Sequence, residues 1–172
     1  GIALYLAIDR SGSMKKKVYG DGFVSSRLEY VKSLTKEFIR GRDNDLIGLI
    51  AFARKADVVV PLTFDHSHLI EKITALDVAR DVSEEGTAIG YTLVKAAHIM
   101  KATAEIAEED TGKAYEIQRN VLVIITDGVQ NSNIEDAGER YRAMGLLDAA
   151  EYAKKYGVRT YIVAIDPAVK KA

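Results

Sequence analysis

Ile2-Ala3-Leu4-Tyr5-Leu6-Ala7-Ile8-Asp9-Arg10-Ser11-Gly12-Ser13-Met14 is the stretch that decides the fold. Its first seven residues are apolar without alternation, so the strand they form must be covered on both faces. That is the situation of a central strand in a parallel sheet flanked by helices. The run stops at Asp9, and a tight loop follows in which Gly12 permits the bend. Asp9, Ser11 and Ser13, at alternate positions, fall on one side of that loop. A central strand that starts at residue 2 has no lead-in, so the chain is expected to be a piece of a longer protein.

Working outward, Val121-Leu122-Val123-Ile124-Ile125-Thr126 repeats the pattern and ends at Asp127-Gly128. Leu46 to Phe52 and Val58 to Leu62 flank the polar turn Arg54-Lys55-Ala56-Asp57. Two strands joined by so short a turn are antiparallel, and Pro61, which has no N–H to donate, belongs at a strand end or a sheet edge. Val158 to Ile165 is the last strand, closed by Asp166-Pro167. Helical spacing links Leu28, Val31, Leu34 and Phe38, with Arg27, Glu29, Lys32 and Lys36 on the other sides. Further helices are expected from Asp65 (N-cap) through Leu76, from about Ala88 through Ala104, and from Leu146 to Tyr156, stopping at Gly157. The charged stretch Thr103 to Arg119 reads as a solvated helix end plus loop. Strands alternating with helices predict an α/β chain, a single three-layer, Rossmann-like domain over 1–172, its sheet mostly parallel with one antiparallel edge strand.

Composition narrows the function. The 172 residues carry 24 Lys plus Arg against 25 Asp plus Glu, a net charge of -1, which removes the electrostatic pull that non-specific nucleic-acid binding needs. The absence of cysteine excludes disulfides, thiolate zinc sites and cysteine nucleophiles. No apolar run approaches the roughly 18 residues of a membrane span, so direct membrane contact from this segment is not expected. Any metal would be held by oxygen or imidazole. His66, His68 and His98 have no metal-ligand spacing, which leaves oxygen.

In parallel α/β sheets, ligands collect outside the carboxyl ends of the strands. Asp9 and Asp127 end two strands, and Glu85-Gly86-Thr87-Ala88-Ile89-Gly90 brings a third loop with a hydroxyl at a helix start. Two carboxylates with the hydroxyls of Ser11, Ser13 and Thr87 make an all-oxygen site of net charge -2, suited to Mg²⁺, Mn²⁺ or Ca²⁺. Taken singly, each residue has a plainer use: strand-end Asp as turn former, Ser as N-cap. Arg10 and the run Lys15-Lys16-Lys17 read as solvent-facing, Met14 as packing, and Tyr19 and Phe23 as exposed contacts or residues folded under their loop. Two other functions compete. A flavodoxin-like FMN protein would use the Ser/Gly loop as a phosphate cradle, but Asp9 would repel phosphate. A Mg²⁺-dependent phosphotransferase or hydrolase would use Asp9 as nucleophile or ligand, but position 11 is Ser rather than a second carboxylate.

Asp9-Arg10-Ser11-Gly12-Ser13, Thr87 in Glu85 to Gly90, and Asp127 in Ile125-Thr126-Asp127-Gly128, in that order, resemble the von Willebrand factor A domain with its metal-ion-dependent adhesion site. The segments 27–32, 45–52, 61–63 and 146–161 are similar to bacterial Bat-type, aerotolerance-associated proteins. The resemblance covers nearly the whole chain. It implies that Ser11 and Ser13 ligate a metal through their hydroxyls, Thr87 directly or through water, with Asp9 and Asp127 directly or behind coordinating waters. Mg²⁺ or Mn²⁺ is expected ahead of Ca²⁺, which favours more carboxylates. The implied role is non-catalytic: a partner protein offers a carboxylate to the metal, with loops Lys15 to Ser26, Asp77 to Glu85 and Val129 to Gly138 setting specificity. Partners implied by the resemblance are a MoxR-type AAA ATPase system or another Bat-type protein, at a bacterial inner membrane with the domain facing the periplasm. The family's sixth strand and final helix are expected to be missing after Asp166. Asp9, read as a loop residue, is expected to tolerate replacement by Ala with the fold largely intact.

Overall fold

β1 (Ala3–Asp9) is buried along its whole length, as a strand with both faces covered must be. The computed structural model describes residues 1–20, 22–80, 87–111, 119–128 and 146–165 (for 104–111 and 146 the backbone alone). After β1 come a short 3-10 turn (Gly12–Lys15), β2 (Lys17–Gly20), β3 (Phe23–Ser26) and α1 (Arg27–Arg40). β4 (Leu46–Phe52), β5 (Ala56–Thr63) and α2 (His66–Ala75) follow. The remaining elements are α3 (Ile89–Thr111), β6 (Asn120–Thr126), α4 (Leu146–Lys155) and β7 (Val158–Ala164). Five strands form one sheet in the order β5-β4-β1-β6-β7, parallel except for the β4/β5 pair. This is the expected mostly parallel sheet with an antiparallel edge. The residues where a further strand is expected to be missing, 166–172, lie outside the described residues.

The pleat of β1 divides the core in two. Ala3, Tyr5 and Ala7 face Leu93, Ala97 and Met100 of α3 and Ala149 and Ala153 of α4. Leu4, Leu6 and Ile8 face Leu28, Val31 and Ile39 of α1 and Leu69 and Ile73 of α2. Helices on both faces of one sheet make the three layers.

Three details differ from the reading of the sequence. The β4–β5 turn is tighter than expected, with Ala53 N–H donating to Lys55 C=O at 2.9 Å, so β5 already begins at Ala56. β2 and β3 pair as the arms of a small antiparallel hairpin in which Tyr19 lies opposite Val24. Finally, the buried stripe of α1 runs through Leu28, Val31, Thr35 and Ile39, leaving Leu34 and Phe38 49% and 38% exposed. Thr35 is admitted to the interior because its hydroxyl donates to Val31 C=O at 2.6 Å. Leu34 and Phe38 instead line an open apolar groove of about 270 Å³ with Leu6, Val123, Ile125 and Val163.

Two polar residues fix where α1 lies. Ser26 caps it, its hydroxyl accepting from Glu29 N–H at 3.1 Å. Lys32, buried beside that face, donates to Glu29 at 2.9 Å and to the Thr74 carbonyl in the last turn of α2 at 3.1 Å. A cation there satisfies carbonyls at the negative end of the helix dipole. Ser26→Ala is expected to lower stability by about 1 kcal/mol, seen as a lower urea midpoint with an unchanged m-value.

Candidate metal centre

The strand order places β1 between β4, reached in one direction of the chain, and β6, reached by returning past it. The carboxyl ends of β1 and β6 therefore bound the crevice where parallel sheets hold ligands. Asp9 ends β1, Thr126 ends β6 and Asp127 follows it directly, so the fold itself delivers the two carboxylates to one place.

Asp9 is fully buried and belongs to the strand, not to the loop, which corrects the expectation from the sequence. Its Oδ1 accepts from Ser11 N–H at 2.8 Å and its Oδ2 from the Thr126 hydroxyl at 2.7 Å. One carboxylate thus shapes the loop after β1 and ties it to β6. Burial pushes its carboxyl above the ordinary aspartate range, against the opposing pull of the Ser11 and Thr126 hydrogen bonds; the nearby Asp127 charge adds to the rise. The charged form of Asp9 is therefore costly to the fold by itself, and a cation nearby would relieve that cost.

From the loop, the Ser11 and Ser13 hydroxyl oxygens stand 3.2 Å apart, and the Ser13 hydroxyl donates to Asp127 Oδ1 at 3.0 Å. These separations bear on whether a metal fits. Adjacent oxygens of an octahedral shell with bonds of about 2.1 Å lie about 3.0 Å from one another. The two hydroxyls and the Asp127 carboxylate match that spacing, and every atom of the set is a hard oxygen. Among the described residues there is no cluster of three His, Cys, Asp or Glu, so a site here would depend on hydroxyls.

Thr87 is buried just before α3. The next residue's N–H, that of Ala88, donates at 2.8 Å to Ala53 C=O just beyond β4, the neighbour of β1. This holds Thr87 at the same end of the sheet, but among the described residues no hydrogen bond joins it to the other four. Glu85 and Gly86 lie outside the described residues, as do Val129 to Gly138.

Arg27 is the residue that the sequence did not reveal. Assigned to an outer helix face, it is instead buried, and its Nη1 donates to Asp127 Oδ2 at 2.6 Å. Arg10, expected to face solvent, is half-buried: its Nε donates to Asp77 C=O at 2.9 Å, and its own carbonyl accepts from Ala79 N–H at 2.8 Å. The segment after α2 is thereby strapped to the loop after β1. Lys15, Lys16 and Lys17 are exposed and Met14 is buried, as expected. Tyr19 and Phe23 are both exposed, at 69% and 46%, and the Phe23 ring stacks on Tyr30 at 6.0 Å and lies across Gly20. The histidines stand apart from the crevice: His66 Nε2 donates to Asp45 C=O at 2.9 Å, and His98 bonds the Tyr152 hydroxyl between α3 and α4.

Comparison with known proteins gives a consistent result. The profile of the von Willebrand factor type A domain matches residues 4–130. An uncharacterized protein of Borreliella burgdorferi is 32% identical over 133 residues, which is 77% of this chain and 34% of that protein. The chain thus spans about a third of the length of this curated relative. Among solved structures, an aerotolerance-related membrane protein of Bacteroides fragilis superposes with a TM-score of 0.70 at 24% identity, covering 95% of this chain and 67% of the other. Manganese-loaded TRAP protein of Plasmodium vivax superposes with a TM-score of 0.59 at 20% identity, covering 96% and 57%. At these identities the likeness to the solved structures is one of fold. No helix among the described residues is long and apolar enough to cross a membrane.

Proposed function

The chain belongs to the von Willebrand factor type A domain family, and from that premise we propose that it is a non-catalytic protein-binding module whose grip depends on a divalent cation. The observation that carries this reading is the unbroken chain of oxygens at the ends of β1 and β6: Ser11 hydroxyl, Ser13 hydroxyl and Asp127 carboxylate, with Asp9 behind them. In this reading Ser11, Ser13, Thr87, Asp9 and Asp127 hold Mg²⁺ or Mn²⁺ in preference to Ca²⁺. Ser13 donates its hydroxyl hydrogen bond to Asp127, accepts from the Ser11 hydroxyl and keeps one lone pair for the crevice. Asp9 fixes the loop through Ser11 N–H, so that both serines are presented together. Bound there, the cation would supply a hard positive charge with room for one more oxygen, and an Asp or Glu side chain of a partner protein is the matching ligand. The exposed face of the β2–β3 hairpin, with Lys17, Tyr19 and Val24, stands beside the crevice to select among partners. We place the partner in a MoxR-type AAA ATPase system or in another Bat-type protein, and the domain on the periplasmic face of a bacterial inner membrane.

Calorimetric titration tests the metal. Mg²⁺ and Mn²⁺ are expected to bind the wild type, and Ser13→Ala to bind at least about tenfold more weakly; tighter binding of zinc than of magnesium would contradict an all-oxygen site. Partner capture by the wild type, by Thr87→Ala and by an EDTA-treated sample tests the function. Equal capture by all three would place the interaction surface elsewhere.

A further inference from the structure

Arg27 occupies a position that general rules disfavour. It is the first residue of α1, where the helix dipole opposes a cation. Its side chain is only 9% exposed, and its Nε is buried with no hydrogen-bond partner among the described residues. Its backbone N–H is committed elsewhere, donating to Lys16 C=O at 2.8 Å. Among the described residues its charge is compensated by the 2.6 Å pair with Asp127, whose side chain is 3% exposed. Asp127 is thus divided between two donors, the Ser13 hydroxyl on Oδ1 and the guanidinium on Oδ2.

We infer that Arg27 is a built-in counter-cation that holds the site's affinity for a bare metal ion low and makes occupancy depend on an arriving carboxylate. The inference rests on the proposed metal-dependent binding and deepens it. The formal charges give the reason. Among the described residues, Asp9 and Asp127 with Arg27 leave the crevice at a single negative charge. A divalent ion alone would turn that into a net positive charge beside largely buried groups, whereas an ion together with one carboxylate would neutralise it. With a neutral side chain at position 27, the ion alone would already neutralise the site and the carboxylate would add an excess negative charge. Because coupling between two ligands is reciprocal, Arg27 would make the metal and the partner each strengthen the other's hold. Like-charge repulsion at this range in a low-dielectric site is large enough to decide between these cases.

The test is Mn²⁺ affinity by calorimetry for the wild type, Arg27→Lys and Arg27→Gln, each in excess sodium chloride and in sodium acetate of equal ionic strength. Acetate is the carboxylate probe, and its chelation of free Mn²⁺ is the same for all three proteins. In chloride, Arg27→Gln is expected to bind Mn²⁺ at least about tenfold tighter than the wild type, and Arg27→Lys within about threefold of it. Acetate should narrow the gap between wild type and Arg27→Gln. An Arg27→Gln affinity equal to or weaker than wild type, or a gap that acetate leaves unchanged, would overturn the inference while leaving metal binding itself intact. Failure of the wild type to bind Mn²⁺ would overturn the proposed function instead. If Arg27→Gln does not fold without metal, Mn²⁺ should restore its cooperative thermal transition, since the ion takes over the missing countercharge; no restoration would also overturn the inference.

Discussion

Asp9→Asn is expected to lose divalent-cation binding by well over about tenfold while folding at least as stably as the wild type. The amide carbonyl can still accept from Ser11 N–H, and the Thr126 hydroxyl can turn from donor to acceptor toward the amide nitrogen. What the substitution removes is a buried charge standing close to Asp127. The sign of the pH effect follows. Because burial raises the Asp9 carboxyl in the folded state, the fold prefers its protonated form. The contribution of Asp9 to stability is full below the ordinary aspartate value and declines as pH rises through the raised one. Asn mimics the preferred neutral form at every pH. Asp9→Ala is different: it strands the Ser11 N–H and frees the Thr126 hydroxyl, at a cost of about 1–3 kcal/mol. Thermal unfolding beside Mn²⁺ calorimetry separates the two variants. Wild-type Mn²⁺ affinity in Asp9→Asn would remove Asp9 from the site.

Gly48→Ala is expected to be the most destabilising small substitution, because its methyl group has nowhere to go. A Cβ at position 48 would lie 2.3 Å from Tyr5 Cε1 and 2.9 Å from the backbone carbonyl oxygen of Val60. Tyr5 cannot yield easily, because it is buried in the central strand. The β4/β5 ladder also shifts register around this residue. Overpacking of this kind costs about 3 kcal/mol, which for a chain of this size lowers Tm by about 6–12 °C. A Tm within a degree or so of the wild type would mean that the ring moves aside freely.

The parts of the molecule that could be read from sequence are those where one physical requirement dominates. β1 and β6 are apolar on both faces and each runs into an aspartate, so their place in a covered sheet and the location of the crevice follow together, whereas their adjacency is seen only in the fold. The β2–β3 hairpin gave no such signal. Its strands are four residues long, Lys17 and Tyr19 point outward, and Gly20 is needed only because the Phe23 ring lies across it. Leu34 and Phe38 have the spacing of a buried stripe, yet Thr35 takes the inward position by bonding its own helix. Arg27 was hidden among the charges of an amphipathic helix. The available clue was positional: a cation directly after the Ser26 cap opposes the helix dipole and therefore calls for an acidic partner in the fold.

The hairpin's two feet meet where Arg27 N–H bonds Lys16 C=O, with Ser11 and Ser13 on one side and Arg27 on the other. Whatever lies between 17 and 26 must return the chain to the same point, so its length and tip can vary without displacing the crevice. Lengthening such an excursion is entropically mild, about 0.6 kcal/mol for each doubling. The molecule is thus modular in an engineering sense. A grafted tip in place of Tyr19 to Val24 could redirect the domain to a new target, with the oxygen cluster serving as a common socket.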